Sequence, residues 1–204
     1  MGEPLNAGSI YAIEDFEMWF RPLRGDVPIY LGAVNPKMLS ICGEIAQGVI
    51  LVQAAREQIM AAVEHVAAGA RRAGRNPADV EICLLMPCSM SDDRDEARDR
   101  VRPRLSMYAG RFPRYREVIV QAGFAEEAEA VHRAWTAGDN VRAQHLLSDE
   151  LIDNWTLLGT QEECLQQIQA YRDVGVTLPI VSPVMEGENA MRQAMEVIRS
   201  CAPG

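Results

Sequence analysis

Apolar positions in this 204-residue chain fall into short continuous runs, and a stretch with helical spacing follows each. The run 27–33, "VPIYLGA", stops at Val34-Asn35, and Pro36 fits the first turn of a helix reaching about Ala46. Gly48 to Val52 is a second apolar run. Residues 54–73 carry Ile59, Val63 and Val66 at helical spacing until Gly74 stops them. A third run, Glu81 to Met90, is apolar enough for burial on both faces. Ser91-Asp92-Asp93 then caps a helix that opens "DEARDRVRPRL". Residues 92–148 read as helical pieces, with breaks expected at Pro103, Gly110, Pro113, Gly123 and Gly138. Residues 149–158 read as a connector. Thr160, with Glu163 three positions on, forms a capping box, and Gly175 ends that helix. "TLPIVSPV" is a fourth strand, and residues 188–201 are a last helix.

Ahead of these units, "SIYAIEDFEMWFRPLR" alternates in short runs, so a hairpin is expected with Glu14-Asp15 as its turn. Pro22 and Gly25-Asp26 close it. Near-continuously apolar strands, each followed by a helix, imply parallel pairing and the α/β class. Four units are too few for a full eight-fold barrel of about 250 residues. The helical excess between the third and fourth strands exceeds an ordinary crossover. The expectation is one domain over 1–204, with a leading hairpin at 1–26 and a helical insertion at 92–148.

Composition narrows the function. With 48% hydrophobic and 24% charged residues, the chain has the profile of a soluble globular protein. A net charge of −9 argues against nucleic acid, which needs a basic face. The basic cluster Arg71-Arg72-Ala73-Gly74-Arg75 falls at a helix end, where cations complement the dipole. Five cysteines without a CxxC pair read as small core hydrophobes in a reducing compartment. Neither a signal peptide nor a membrane-length apolar stretch is legible, so a cytoplasmic location is expected.

Candidate chemistry is sparse. His65, His132 and His145 lie in helical segments away from other ligand types, so no metal site is expected. Asp92-Asp93 is better explained as a helix cap than as a catalytic carboxylate pair. The turn Gly32-Ala33-Val34-Asn35-Pro36-Lys37 is the strongest candidate. A strand running straight into a helix there exposes backbone N–H groups that attract anions, phosphate above all. Gly32 and Ala33 leave room for a ring or phosphate, and Lys37 adds charge. The alternative is a tight turn whose small residues serve packing, and both readings stay open on chemistry alone.

The stretch "VPIYLGAVNPKMLSICGEIAQGVIL" resembles the bacterial luciferase-like oxidoreductases, which include the methylenetetrahydromethanopterin reductase relatives. Their usual form is a strand "VPIYLAA", a turn "GP", a helix "KMLELAGEIADG" and a strand "VIL". This chain keeps Val27 to Leu31, Pro36 to Leu39, Gly43 to Ala46 and Gly48 to Leu51. It departs with Asn35 for the usual glycine, Gln47 for the usual aspartate, and no asparagine after Leu51. "GSIYAIEDFEMWFRPLRGDVP", "VEICLLMPCSMSDDRDEARDRVRP" and "LLGTQEECLQQIQAYRDVGVTLPIVSPV" extend the likeness over nearly the whole chain.

The resemblance implies half of a (β/α)8 TIM barrel, its C-terminal half. It implies a flavin or deazaflavin cofactor, FMN or the coenzyme F420 type, serving monooxygenase or hydride-transfer chemistry. Gly32, Ala33, Val34, Asn35, Pro36 and Lys37 inherit the cofactor-facing position. The family's catalytic groups fall mainly outside the matched half, so no catalytic residue is assigned. Four strands leave two open edges and an uncovered face. The expected partner is a homo-oligomer or a separate N-terminal half-barrel chain. A non-enzymatic remnant, oligomeric or cofactor-binding or with the cofactor lost, is the alternative. Tyr108, Phe112 and Tyr115 are expected to cover a pocket or a partner.

Overall fold

The computed structural model describes residues 5–8, 12–17, 19–21, 23–52, 54–185 and 188–202. Strands β1 (Leu5–Gly8) and β2 (Ala12–Phe16) pair antiparallel as a separate two-stranded sheet. Glu14 and Asp15 lie within β2, so the turn expected there is displaced; Asp15 instead has φ 51° inside the strand. Pro22 lies outside the described residues.

The main sheet is parallel throughout. Strand β3 (Tyr30–Gly32) pairs with β4 (Gly48–Val52), and β4 pairs with β5 (Glu81–Met90). Strand β7 (Leu178–Pro183) pairs with Cys83–Cys88 of β5, so the four expected strands are neighbours in the expected order. The first is much shorter than the 27–33 run. Val27 and Ile29 are each 60% exposed, because β3 pairs on one side only and residues before Tyr30 have little to pack against. Gln47 holds Ile29 from both directions. Its N–H donates to the Ile29 carbonyl, and its side chain accepts the Ile29 N–H at 2.9 Å.

Helices α1 (Pro36–Ile45), α2 (Arg56–Arg72), α8 (Gln161–Asp173) and α9 (Ala190–Cys201) contribute to one core with Val49, Leu51, Ile82, Leu84 and Met86. Helices α1 and α2 touch through glycine. A Cβ on Gly43 would lie 2.0 Å from the Val66 carbonyl oxygen, and one on Gly69 would lie 1.9 Å from that of Ser40. The basic cluster serves this pair as well as its own helix end. Arg75 donates to the Gly43 and Ala46 carbonyls at the end of α1, and Arg72 pairs with Glu44.

The helical insertion comprises α3 (Arg94–Arg111), α4 (Pro113–Gln121), α5 (Ala125–Thr136), α6 (Asn140–His145) and α7 (Asp149–Trp155). Neither Pro103 nor Gly110 breaks α3, contrary to expectation. Pro103 forfeits one helical hydrogen bond, but buried Val101 and Leu105 on either side fix the helix in a second core. Gly110 is a packing glycine, because its Cβ would lie 2.4 Å from the Trp135 ring of α5. The 149–158 segment is no connector. It holds α7 and then β6 (Leu157–Gly159), which pairs with Cys88–Met90 of β5 and is wholly buried. Arginines of α3 fasten α7, with Arg98 bonding Asp153 through Nε (2.9 Å) and Nη2 (2.8 Å). No helix among the described residues is long and apolar enough to cross a membrane.

Candidate functional site

Where β3 ends, the Ala33 N–H continues the ladder to the Ile50 carbonyl at 3.4 Å, and the chain turns into α1. Asn35 is the N-cap, with extended backbone, and its side-chain oxygen accepts the Met38 N–H at 2.9 Å. Pro36 has no N–H to offer. Of the first donors of α1, Lys37 N–H is therefore the one the turn leaves for a ligand, a thinner anion cradle than the sequence suggested. The Lys37 side chain is exposed. Gly32 has open space where a Cβ would project, with no atom within 4 Å. Ala33 is buried and Val34 half-exposed.

By register, Gly32, Ile50, Leu85 and Ile180 share the sheet face turned away from α1 and α2. The insertion reaches over the carboxyl end of that face. Arg104 of α3 donates to the Ser182 hydroxyl at 3.2 Å. Arg114 and Tyr115, at the start of α4, close a cavity of about 250 Å³ against the turn, Met38, Ile50 and Val52. On this face Ile50, Val52, Leu85 and Ile180 are half-buried and Leu178 is exposed, so the face expected to be uncovered is partly covered. Tyr115 meets Tyr108 edge-on at 4.7 Å and Phe112 at 6.1 Å. Burial, and secondarily Tyr108, push the Tyr115 hydroxyl above its ordinary pKa. The aromatic trio thus contributes Tyr115 to a pocket wall, while Phe112 keeps a partly exposed ring.

Ala33 and Val34 also face a second cavity of about 140 Å³ on the helical side, near Gln58 and His65. A larger open cleft of about 1,090 Å³ lies elsewhere, between the start of α8 and the α9 helix. Thr160 caps α8 there in the expected capping box: its hydroxyl takes the Glu163 N–H, and Glu163 takes the Thr160 N–H at 2.8 Å. Asp93 caps α3 as expected, accepting from the Asp95 and Glu96 N–H groups. His132 is half-buried, with Nδ1 2.8 Å from the Gly110 carbonyl.

Of the six turn residues, Gly32, Ala33, Val34 and Asn35 line the cavity of about 250 Å³, Pro36 lines the smaller one, and Lys37 lines neither. Sequence reasoning did not find Arg114 as a wall residue or the Arg104–Ser182 contact, because only the fold carries the insertion back over β4 and β7. Residues 1–178 match the profile described as "Luciferase-like monooxygenase". The chain belongs to that family. This luciferase-like chain is 29% identical over 183 residues to the 5,10-methylenetetrahydromethanopterin reductase of Archaeoglobus fulgidus, covering 87% of the chain and 54% of that relative. To the Methanolobus tindarius protein of that name it is 31% identical over 155 residues, covering 75% and 47%. Among solved structures, the coenzyme F420 dependent tetrahydromethanopterin reductase from Methanopyrus kandleri superposes with a TM-score of 0.82 at 25% identity. That match covers 97% of this chain and 56% of that one. The luciferase-like chain spans about half the length of the curated relatives it matches. Its α/β architecture is accordingly that of half a TIM barrel of this family.

Proposed function

We propose that this chain, acting as one domain over residues 1–204, supplies the cofactor-facing C-terminal half of a deazaflavin-dependent oxidoreductase. The observation that carries the reading is the cavity between the β3–α1 turn and the start of α4. The named F420 dependence of the Methanopyrus kandleri structure supports the deazaflavin over FMN.

The residues present suit one side of such a cofactor. Ala33, Val34, Ile50 and Val52 would give an apolar wall for a flat ring, Arg114 a cation at the cavity, and exposed Lys37 a second cation beyond its lining. At about 250 Å³, the cavity falls short of the ~300–1,000 Å³ usual for organic ligands. A second wall must come from outside this half. When bound, a deazaflavin supplies hydride transfer. Gly32 would leave room for a ring beside the backbone, Ala33 and Val34 would shield it from water on that side, and Asn35 caps the helix beside it. Arg114 and Lys37 hold the charge. No side chain here is assigned as acid or base.

The remaining wall is contributed by a second half-barrel, either another copy of this chain or a complementary chain, seated on the open sheet edges. Titration of the purified chain with coenzyme F420 and with FMN, alone and with the first half of a related reductase, tests the reading. Fluorescence quenching by the deazaflavin that weakens in Tyr115→Ala and Arg114→Ala supports it. Equal binding by these variants, or none in any combination, overturns it. Sedimentation of the same samples separates a second copy from a complementary chain.

A further inference from the structure

Among the described residues, the two helices at the ends of the parallel sheet each carry an apolar stripe that no neighbour covers. Helix α1 follows strand β3, which pairs only with β4, and α9 follows β7, which pairs only with β5. On α1, Leu39, Cys42 and Gly43 are buried, and Glu44 turns to Arg72 of α2. Met38, Ile41 and Ile45 fall on the flank away from α2, toward the free edge of β3. Met38 is 37% and Ile45 64% exposed, with Ile41 half-buried between them. On α9, Ala194 and Val197 are buried, while Gln193, Glu196 and Ser200 face the cleft shared with α8. Met191, Met195 and Ile198 lie on the flank away from α8, at 71%, 39% and 53% exposure. Single exposed apolar residues are ordinary, but three at helical spacing on each of two helices make a surface suited to burial.

The two stripes match in length and heading. Each runs about 10 Å along its helix, from Met38 to Ile45 and from Met191 to Ile198. Both helices run back from the carboxyl end of a parallel strand, so the two methionines lie near that end and the two isoleucines near the other. A half-turn about an axis along the strands sets β7 of one copy parallel beside β3 of a second, at both edges at once. The same rotation lays α9 against α1 twice. One chain therefore holds both sides of the seam. Backbone pairing alone would be weak there. The Val184 N–H bonds the Cys88 carbonyl, so alternation turns Pro179 and Pro183, which lack an N–H, toward the free edge of β7. The helical stripes must supply the attachment.

We propose that two copies of this chain close into one eight-stranded barrel, with Met38, Ile41 and Ile45 of each copy packed against Met191, Met195 and Ile198 of the other. The strands are β3, β4, β5 and β7 of each copy. The proposal commits the half-barrel reading above to a second copy, and it needs no cofactor. Closure leaves neither β3 nor β7 with an open edge, so assembly stops at two. The cavity beside Gly32 and Ile50 lies on the face that closure encloses, so the second copy brings the wall it lacks.

The test uses the purified intact chain without cofactor, so it can fail while cofactor binding stands, and the reverse. Light scattering at micromolar concentration should give twice the chain mass. Ile45→Lys and Ile198→Glu should each weaken association about a hundredfold, because each buries an unpaired charge at both seams. Both substitutions in one chain set opposite charges across the seam and should recover about tenfold of that loss, a rescue that misfolding cannot give. As a second measurement, Ile45→Cys copies exchanged with Ile198→Cys copies and mildly oxidised should link to each other in peptide maps, and neither kind to itself. A chain that stays single, or that associates only with the first half of a related reductase, overturns the proposal. So does a dimer that both single variants leave intact, or one in which Ile45→Cys copies link to their own kind.

Discussion

The Tyr30 hydroxyl reaches across Gly48 to donate to the Glu81 carboxylate, tying three neighbouring strands in one row. The ring lies so close over Gly48 that a Cβ there would come within 2.3 Å of it. The carboxylate, as the acceptor, holds the Tyr30 hydroxyl above its ordinary pKa. Gly48→Ala should swing the ring away and return that hydroxyl toward its usual range, read by ultraviolet difference titration. A group whose pKa rises on folding stabilises fully below its unfolded pKa, near 10 for tyrosine. This contact therefore helps at neutral pH and is lost as pH rises through the folded value. An unchanged tyrosine titration in Gly48→Ala would contradict the contact.

Glycines between α1 and α2 should be far less tolerant. Gly43→Ala and Gly69→Ala each aim a methyl at backbone carbonyl oxygens, which cannot turn aside as a ring can. Each should lose about 3 kcal/mol in denaturant unfolding, at the upper end of the usual overpacking cost. A loss of a few tenths would mean the helices are further apart than described.

Asn35 invites a swap with the family's usual residue. Asn35→Ala should cost about 1 kcal/mol, and Asn35→Gly only a few tenths, as at other helix N-caps. Removing the side chain also frees the Met38 N–H. Asn35→Gly should therefore bind an anionic cofactor more tightly than the wild type, as measured by the same fluorescence titration. Weaker binding would show that the amide itself touches the ligand.

Asp153 anchors the insertion. Burial alone would raise its carboxyl, but the Arg98 hydrogen bonds and the Arg94 and Arg98 charges bring it below the ordinary aspartate value. Its depressed pKa makes its stabilisation present above about pH 4 and lost as pH falls through the folded value. The Asp153 and Arg98 side chains are 28% and 16% exposed, so Asp153→Asn should cost about 2 kcal/mol at pH 7, below a fully buried pair. The difference between variant and wild type should shrink in acid. A difference constant from pH 7 to pH 3 would remove Asp153 from this role.

The strands and helices from β3 to β5 were legible because apolar runs and helical spacing coincide with Pro36, Gly74 and Asp93 at the boundaries. Strand β6 was not, because three residues are too few to show a period. Gly110 read as a breaker since nothing local reveals Trp135 packed against it. Two departures from the family pattern acquired local reasons only in the fold: Asn35 caps α1, and Gln47 clamps Ile29. Of the site, the turn was visible and its opposite wall was not. Arg114 and Tyr115 lie some 80 residues beyond the turn in sequence, and no local pattern announces so distant a pairing.

Strand β5 is shared by β4, β6 and β7. This places the sheet's assembly under one segment. The β4 pairing is close in sequence and can form early, whereas β7 must wait until every helix of the insertion has been synthesised and cleared away. Until then the Ile82 carbonyl, later bonded by the Thr177 N–H, stays open on the ribosome-bound chain. The last strand to arrive takes the edge of β5 opposite β4 and β6, and a slow or misfolded insertion leaves that edge free for a strand from another molecule.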